Sequence, residues 1–242
     1  MIYEGFLAVK AILENDQRLV DRLFVIEDKY SKQINYCRAL AHQRKIPIII
    51  ASAEEIDLMT QGKTHGGILI EAQPRQLPKV LPDLLGNWAF IEGVEDPYNL
   101  AIIMRTLYCA GYNGLITNQR HLSHVDHILV KSSGGASEKL PWFQVEDAEQ
   151  TLNKLKVLGH QIIVTHRGEQ SQPYYVIDFI QPHVLCIGGE MRGLSKPVLK
   201  TADLWCTIPY PNTEARLSLN AVSALAVLSF EKERQREKQR EI

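Results

Sequence analysis

Val184-Leu185-Cys186-Ile187-Gly188-Gly189-Glu190-Met191-Arg192-Gly193-Leu194-Ser195 is the stretch on which the reading of this chain turns. Its apolar start predicts a buried strand over Val184–Gly188, and its glycine-bearing continuation predicts a turn at the strand's end. Three glycines around one carboxylate suggest a loop whose backbone approaches a flat ligand closely. The stretch lacks the Lys-Ser/Thr ending of a phosphate-gripping P-loop, and it lacks dinucleotide-fingerprint spacing. A plain strand-to-helix turn is the simpler alternative.

Two further segments have the same form. Upstream, a strand over Trp88–Gly93 runs into Glu95-Asp96-Pro97-Tyr98-Asn99 and a helix over Asn99–Ala110 that carries Arg105-Thr106, with Leu100, Ile103, Met104 and Leu107 inward. Downstream, a strand over Trp205–Ile208 leads through Pro209 to Leu217-Ser218-Leu219-Asn220 and a long helix from Leu219 to about Arg236. Between these lie strands over Gly114–Thr117 and Gln161–Thr165 and a helix over Ala148–Leu158. Alternating strands and helices, with strands apolar almost throughout, predict a mostly parallel α/β sheet. Ligands of such sheets bind at the carboxyl ends of the strands, so the three turns can converge on one crevice.

Residues 1–72 read as a smaller α/β unit. It has helices over Gly5–Glu14 and Ser31–Arg44, and strands over Leu23–Glu27, Ile46–Ala51 and Gly66–Glu71. Ser52 with Glu55 three residues on is a capping-box signature. Pro74, Pro78 and Pro82 make 73–87 an extended linker, which leaves 88–242 as the second domain. The hydrophobic share of 45% suits a soluble protein with a substantial core. The apolar runs are too short to span a bilayer, and the start Met1-Ile2-Tyr3-Glu4-Gly5 is unlike a signal peptide, so the default expectation is a cytoplasmic protein without a membrane. Cys37, Cys109, Cys186 and Cys206 form no CxxC pair and read as buried, reduced thiols. The net charge of −1 requires any nucleic-acid-binding surface to be local. Lys29, Lys32, Arg38, Arg44, Lys45, Arg105, Lys131, Lys139, Arg167 and Arg192 are the candidates, with solvated helix faces as the plain alternative for each.

In this order and at these separations, the three segments resemble motifs 1, 2 and 3 of the SpoU (TrmH-like) RNA 2′-O-ribose methyltransferases of the SPOUT superfamily. The opening Glu4-Gly5-Phe6-x-Ala8-Val9-Lys10 and the turn His65-Gly66-Gly67 resemble the L30e-like substrate-binding domain that precedes many of these enzymes. The resemblance implies an N-terminal domain that grips RNA and a C-terminal SPOUT domain with a trefoil knot. It also implies S-adenosyl-L-methionine as cofactor, an RNA substrate (rRNA rather than tRNA), and a homodimer with sites near the subunit interface. By motif position the cofactor contacts fall at Thr165, Gly188, Gly189, Ile208, Leu217 and Leu219. The catalytic set is Arg105, Asn99, Glu190, Ser218 and Asn220. Arg105 would act at the reacting ribose hydroxyl. Its pKa above about 12 suits clamping the neighbouring phosphate at least as well as taking a proton. Asn99 and Asn220 could hold the Arg105 side chain, and Glu190 could pair with it. Asn99 could also simply cap its helix. The run Lys131–Glu138 resembles the family's segment between motifs 1 and 2, with close backbone packing as its expected job.

The chain departs from the family's pattern at Ala101, where glycine is usual, at Ser223, displaced by one position, and over Tyr210–Arg216, about two residues longer than common. The alternative from another class is a non-catalytic RNA- or ribosome-binding protein that keeps the fold. His121, His124 and His127 with Asp126 have a metal-like look, but their spacing is not that of a zinc site, and no metal is expected. Ser218 has no His/Asp pairing that would suggest a hydrolase triad.

Overall fold

The computed structural model describes residues 1–27, 29–60, 64–78, 86–212 and 218–240. In chain order the elements begin with β1 (Ile2–Glu4), α1 (Phe6–Glu14), β2 (Val20–Ile26), α2 (Lys32–Gln43), β3 (Ile48–Ala51), α3 (Ala53–Leu58) and β4 (Ile68–Ala72). There follow β5 (Trp88–Glu92), α4 (Pro97–Cys109), β6 (Gly114–Asn118), α5 (Asp126–Ser132), α6 (Ala136–Lys139), β7 (Trp142–Val145) and α7 (Ala148–Val157). The chain continues with β8 (Gln161–Thr165), β9 (Gln172–Pro173), β10 (His183–Gly188), α8 (Lys196–Lys200), β11 (Leu204–Thr207) and α9 (Ala221–Arg240). Two compact units result. One comprises Met1–Gln76 with His121–Lys139, the other Leu77–Arg120 with Leu140–Ile242. The segment His121–Lys139, read from sequence as part of 88–242, thus packs with the first unit. Of the linker at 73–87, residues 79–85 lie outside the described residues.

The first unit is built on a mixed four-stranded sheet in the order β1-β4-β2-β3. Ser31 caps α2 by accepting the Ile34 N–H, and Ser52 and Glu55 form the anticipated capping box on α3. β3 departs from expectation. Ile46–Ala51 reads as a buried strand, yet β3 is a sheet edge, paired on one side with β2, and Ile49 and Ile50 are exposed. Arg44 is also redirected. Its guanidinium donates to the carbonyls of Ile12, Leu13, Asn15 and Arg18 at 2.8–3.2 Å, closing the C-terminal end of α1, which gives it a structural role.

Close packing in Lys131–Glu138 is as expected: a β-carbon on Gly135 would collide with Ala11 of α1. Beside it lies a buried ionic cluster. Asp126 accepts from the Tyr3 hydroxyl at 2.6 Å, Arg18 at 2.8 Å and the Arg75 backbone N–H at 3.1 Å. Glu138 accepts from Arg75 at 2.6 Å and Asn15 at 2.8 Å. Burial raises the Asp126 carboxyl, but Arg18 and the Tyr3 hydroxyl outweigh it and hold it below the usual aspartate range.

The second unit is a seven-stranded sheet, β7-β6-β5-β10-β8-β11-β9, with every pairing parallel. One core joins Leu152 and Leu155 of α7 and Val198 of α8 to Phe90, Ile116, Phe143, Ile162, Val164 and Cys186 of the sheet. α4 packs against α9, burying Leu100, Ile103, Met104 and Leu107, as their helical spacing predicts, together with Leu225 and Leu228. Burial pushes the Cys37 and Cys206 thiols up to about 12 and Cys186 higher still, so all three stay protonated. Cys109 corrects the sequence reading, because it is exposed on α4. No described helix is long and apolar enough to cross a membrane.

Candidate active site

The three segments leave β5, β10 and β11 at their carboxyl ends. β5 and β10 are neighbours, and β8, ending at Thr165, lies between β10 and β11. After β5 the chain turns at Gly93 and is fixed by Arg120, whose guanidinium donates to the carbonyls of Val94 at 2.6 Å and Glu95 at 3.1 Å. Asp96 then caps α4, accepting the Tyr98 N–H at 3.1 Å, and Pro97 occupies the first turn, where its missing N–H costs nothing. The helix therefore opens two residues before Asn99, and the capping role weighed for Asn99 belongs to Asp96.

At the end of β10 two glycines are required by space. A β-carbon on Gly188 would collide with the backbone of Gly193 and Leu194, and one on Gly189 would collide with the Gly93 carbonyl. The loop folds back on itself through the Gly193 N–H, which donates to the Gly189 carbonyl at 2.9 Å. At Gly188 and Gly189 the wall this loop presents is therefore main chain, while Glu190, Arg192 and Leu194 add side chains. On β8, the Thr165 hydroxyl donates to the Cys186 carbonyl at 3.0 Å, tying the neighbouring strand end to β10. Downstream of β11, the Tyr210 hydroxyl accepts the Leu219 N–H at 3.1 Å, and the Arg167 guanidinium lies 4.4 Å from the Tyr210 ring centre. Asn220 caps α9, its side-chain oxygen accepting the Ser223 N–H at 2.8 Å.

These pieces surround a cavity of about 390 Å³. Thr165, Gly188, Gly189, Ile208 and Leu219 of the expected cofactor set all line it, as do Glu190 and Ser218 of the catalytic set. Leu217 lies outside the described residues. Arg105, Asn99 and Asn220 are not among the lining residues. Arg105 stands exposed on α4 and, among the described residues of the single chain, makes no hydrogen bond or ion pair with Asn99, Glu190 or Asn220. Sequence reasoning did not assign His166, Tyr210, Leu194, Leu199 or Leu228 to the site, yet all five line it. Tyr210 opens the stretch already marked as longer than the family's pattern, which was the available signal. The leucines are indistinguishable in sequence from core residues.

Residues 88–230 match the SpoU rRNA Methylase family, and residues 2–78 match the RNA 2′-O ribose methyltransferase substrate binding domain. The chain belongs to the SpoU rRNA methylase family. Among relatives of this SpoU chain is the 23S rRNA (guanosine-2′-O-)-methyltransferase RlmB of Pseudomonas putida, 28% identical over 244 residues, which cover 98% of this chain and 97% of that one. Among solved structures, the AdoMet-bound rRNA methyltransferase of Sinorhizobium meliloti has a TM-score of 0.77 at 22% identity, with 97% of this chain and 87% of that chain covered. The SpoU methyltransferase AviRb of Streptomyces viridochromogenes, solved with the cofactor AdoMet, has a TM-score of 0.76 at 23% identity over 98% of this chain and 90% of that chain. Likeness at this identity shows the fold alone, and the N-terminal substrate-binding domain and C-terminal SpoU (SPOUT) domain rest on the two family matches.

Proposed function

We propose that this chain transfers a methyl group from S-adenosyl-L-methionine to a ribose 2′-hydroxyl in RNA, rRNA rather than tRNA. The cavity at the carboxyl ends of β10, β8 and β11 is the observation that carries the reading. Its wall at Gly188 and Gly189 has no room for a side chain, and Ile187, Leu199 and Leu228 supply apolar surface. A main-chain wall facing apolar side chains suits the flat adenine and ribose of this cofactor, which would be held by Thr165, Gly188, Gly189, Ile208, Leu217 and Leu219. When bound, the cofactor supplies the methyl group.

The chain's own contribution is to orient the hydroxyl and deal with its proton. Arg105 is the residue assigned to it, gripping the adjoining phosphate, with Asn99, Glu190, Ser218 and Asn220 shaping the surroundings. Arg105 stands outside the cavity, on the face of α4 that also exposes Tyr98 and Ile102, while α9 exposes Phe230. This supports a homodimer in which α4 of one protomer completes the partner's site. Residues 1–72 would present the RNA and 88–242, with the trefoil knot that belongs to this reading, would carry the transfer, 73–87 joining them. Exposed Lys29, Lys32 and Tyr30, with Arg38 5.8 Å from the Tyr30 ring centre, form a local basic and aromatic surface suited to RNA despite the chain's net charge of −1. The net charge of −1 and the departures in the third motif are the grounds for the non-catalytic alternative, and the full-length methyltransferase relatives weigh against it. Mapping ribose methylation in total RNA with and without this gene tests the reading. The expected result is one or a few rRNA positions that lose 2′-O-methylation, and unchanged maps would overturn it.

A further inference from the structure

The cofactor loop is closed at its base by a residue from a different motif. Glu92, the last residue of β5, accepts the Gly189 N–H on its main-chain carbonyl at 2.7 Å and the Ser195 N–H on its carboxylate at 2.7 Å. The two ends of the loop thus meet one residue. Between them Glu190, Met191 and Arg192 are exposed. The bond to the Glu92 carbonyl survives any side-chain change, but the bond to Ser195 is charge-assisted and belongs to the side chain. The second carboxylate oxygen lies 3.5 Å from the Asn118 amide nitrogen, at the limit of a hydrogen bond, so the Ser195 contact dominates. Glu92 itself does not line the cavity, whereas Gly188, Gly189, Glu190, Gly193 and Leu194 do.

We propose that Glu92 is a positioning residue that sets the width of the Gly189–Ser195 loop and so pre-forms the main-chain wall for S-adenosyl-L-methionine. The inference rests on reading the cavity as the cofactor site. The part of the wall made by Gly188 and Gly189 has no side-chain rotamers with which to adapt, so its affinity depends on the loop already holding the bound shape. Glu92 supplies that constraint by an acceptor oxygen at the right reach, which its charge strengthens but does not create, because its partner is a neutral amide.

The test compares the full-length protein with Glu92→Gln, Glu92→Asp and Glu92→Ala. Affinity for S-adenosyl-L-homocysteine is read by calorimetry, turnover at saturating cofactor on the mapped RNA, and loop closure by amide hydrogen exchange over 189–195. Glu92→Ala is expected to weaken binding roughly tenfold or more, to speed exchange in the loop but not in the strands, and to leave saturated turnover nearly unchanged. Glu92→Gln should restore most of the affinity, since its amide oxygen still accepts from Ser195. Glu92→Asp should not, since its carboxylate falls short by about 1.5 Å. Wild-type affinity in Glu92→Ala, or rescue by Asp and not by Gln, would overturn the proposal. A wild-type protein that binds neither form of the cofactor would overturn the cofactor reading and this inference with it. The exchange data would then still show whether Glu92 closes the loop, so the two failures are distinguishable.

Discussion

Arg105 and Asn220 have the same standing in a motif comparison and different standing in space. Arg105 is exposed and unengaged among the described residues, as a group waiting for a substrate phosphate should be, whereas the Asn220 side chain is committed to the first turn of α9. Arg105→Ala is therefore expected to leave cofactor affinity nearly intact and to lower single-turnover methylation by orders of magnitude, since it removes a transition-state interaction. Arg105→Lys should rescue poorly, because an ammonium cannot reproduce the planar fork. Parallel cofactor titration and single-turnover rates check both; near wild-type rates in Arg105→Ala would remove Arg105 from the mechanism. Asn220→Ala should instead cost about 1 kcal/mol of stability through the lost cap. Asn220→Asp should recover it, as thermal unfolding of the two variants would show. The residue types at these positions were legible from the motif. Their engagement was not, because a cap and a catalytic amide look alike until the helix start is known.

Long elements with strong periodicity were legible, and short ones were not. The inward row Leu100, Ile103, Met104 and Leu107 of α4 was read correctly, as were β5, β8 and β10, whose apolar runs are bounded by turn residues. α6 and α8, four and five residues long, give too little periodicity to detect. β3 was misread as buried because Ile48-Ile49-Ile50 carries a core composition on a sheet edge. The cluster of Tyr3, Arg18, Arg75, Asp126 and Glu138 joins residues far apart in sequence, which no local pattern reveals. Glu92 was invisible for the same reason: its partner, Ser195, lies 103 positions away.

At the scale of the whole chain, two buried groups contribute to the response to acid. His183 donates through Nδ1 to the Gln181 carbonyl at 2.9 Å and accepts from the Tyr112 hydroxyl at 3.2 Å, the arrangement of a neutral ring. Burial, helped by nearby Lys232, lowers its pKa from 6.5 to about 4. The unfolded chain then binds the proton first, so this contribution to stability is complete above pH 6.5 and is lost as pH falls towards 4. The loss is on the order of 3 kcal/mol. Asp126, held below the usual aspartate value of 3.8, adds a second loss as pH falls below that value. Denaturant unfolding at pH 7.5, 5 and 4 should show the decline, and His183→Gln should flatten the part between 6.5 and 4. Unchanged stability of the wild type across that interval would contradict the buried neutral ring. Assembly belongs to this scale too. Sedimentation equilibrium is expected to find a dimer, and a monomer that methylates at full rate would contradict the shared site. Methyl transfer to the ribose oxygen has one direct measurement. Purified protein is incubated with methyl-labelled S-adenosyl-L-methionine and rRNA, and the product is hydrolysed in alkali. A methylated 2′-oxygen cannot attack its own phosphate, so transfer to the ribose puts label in alkali-resistant dinucleotides; label confined to mononucleotides, or no transfer at all, would contradict it.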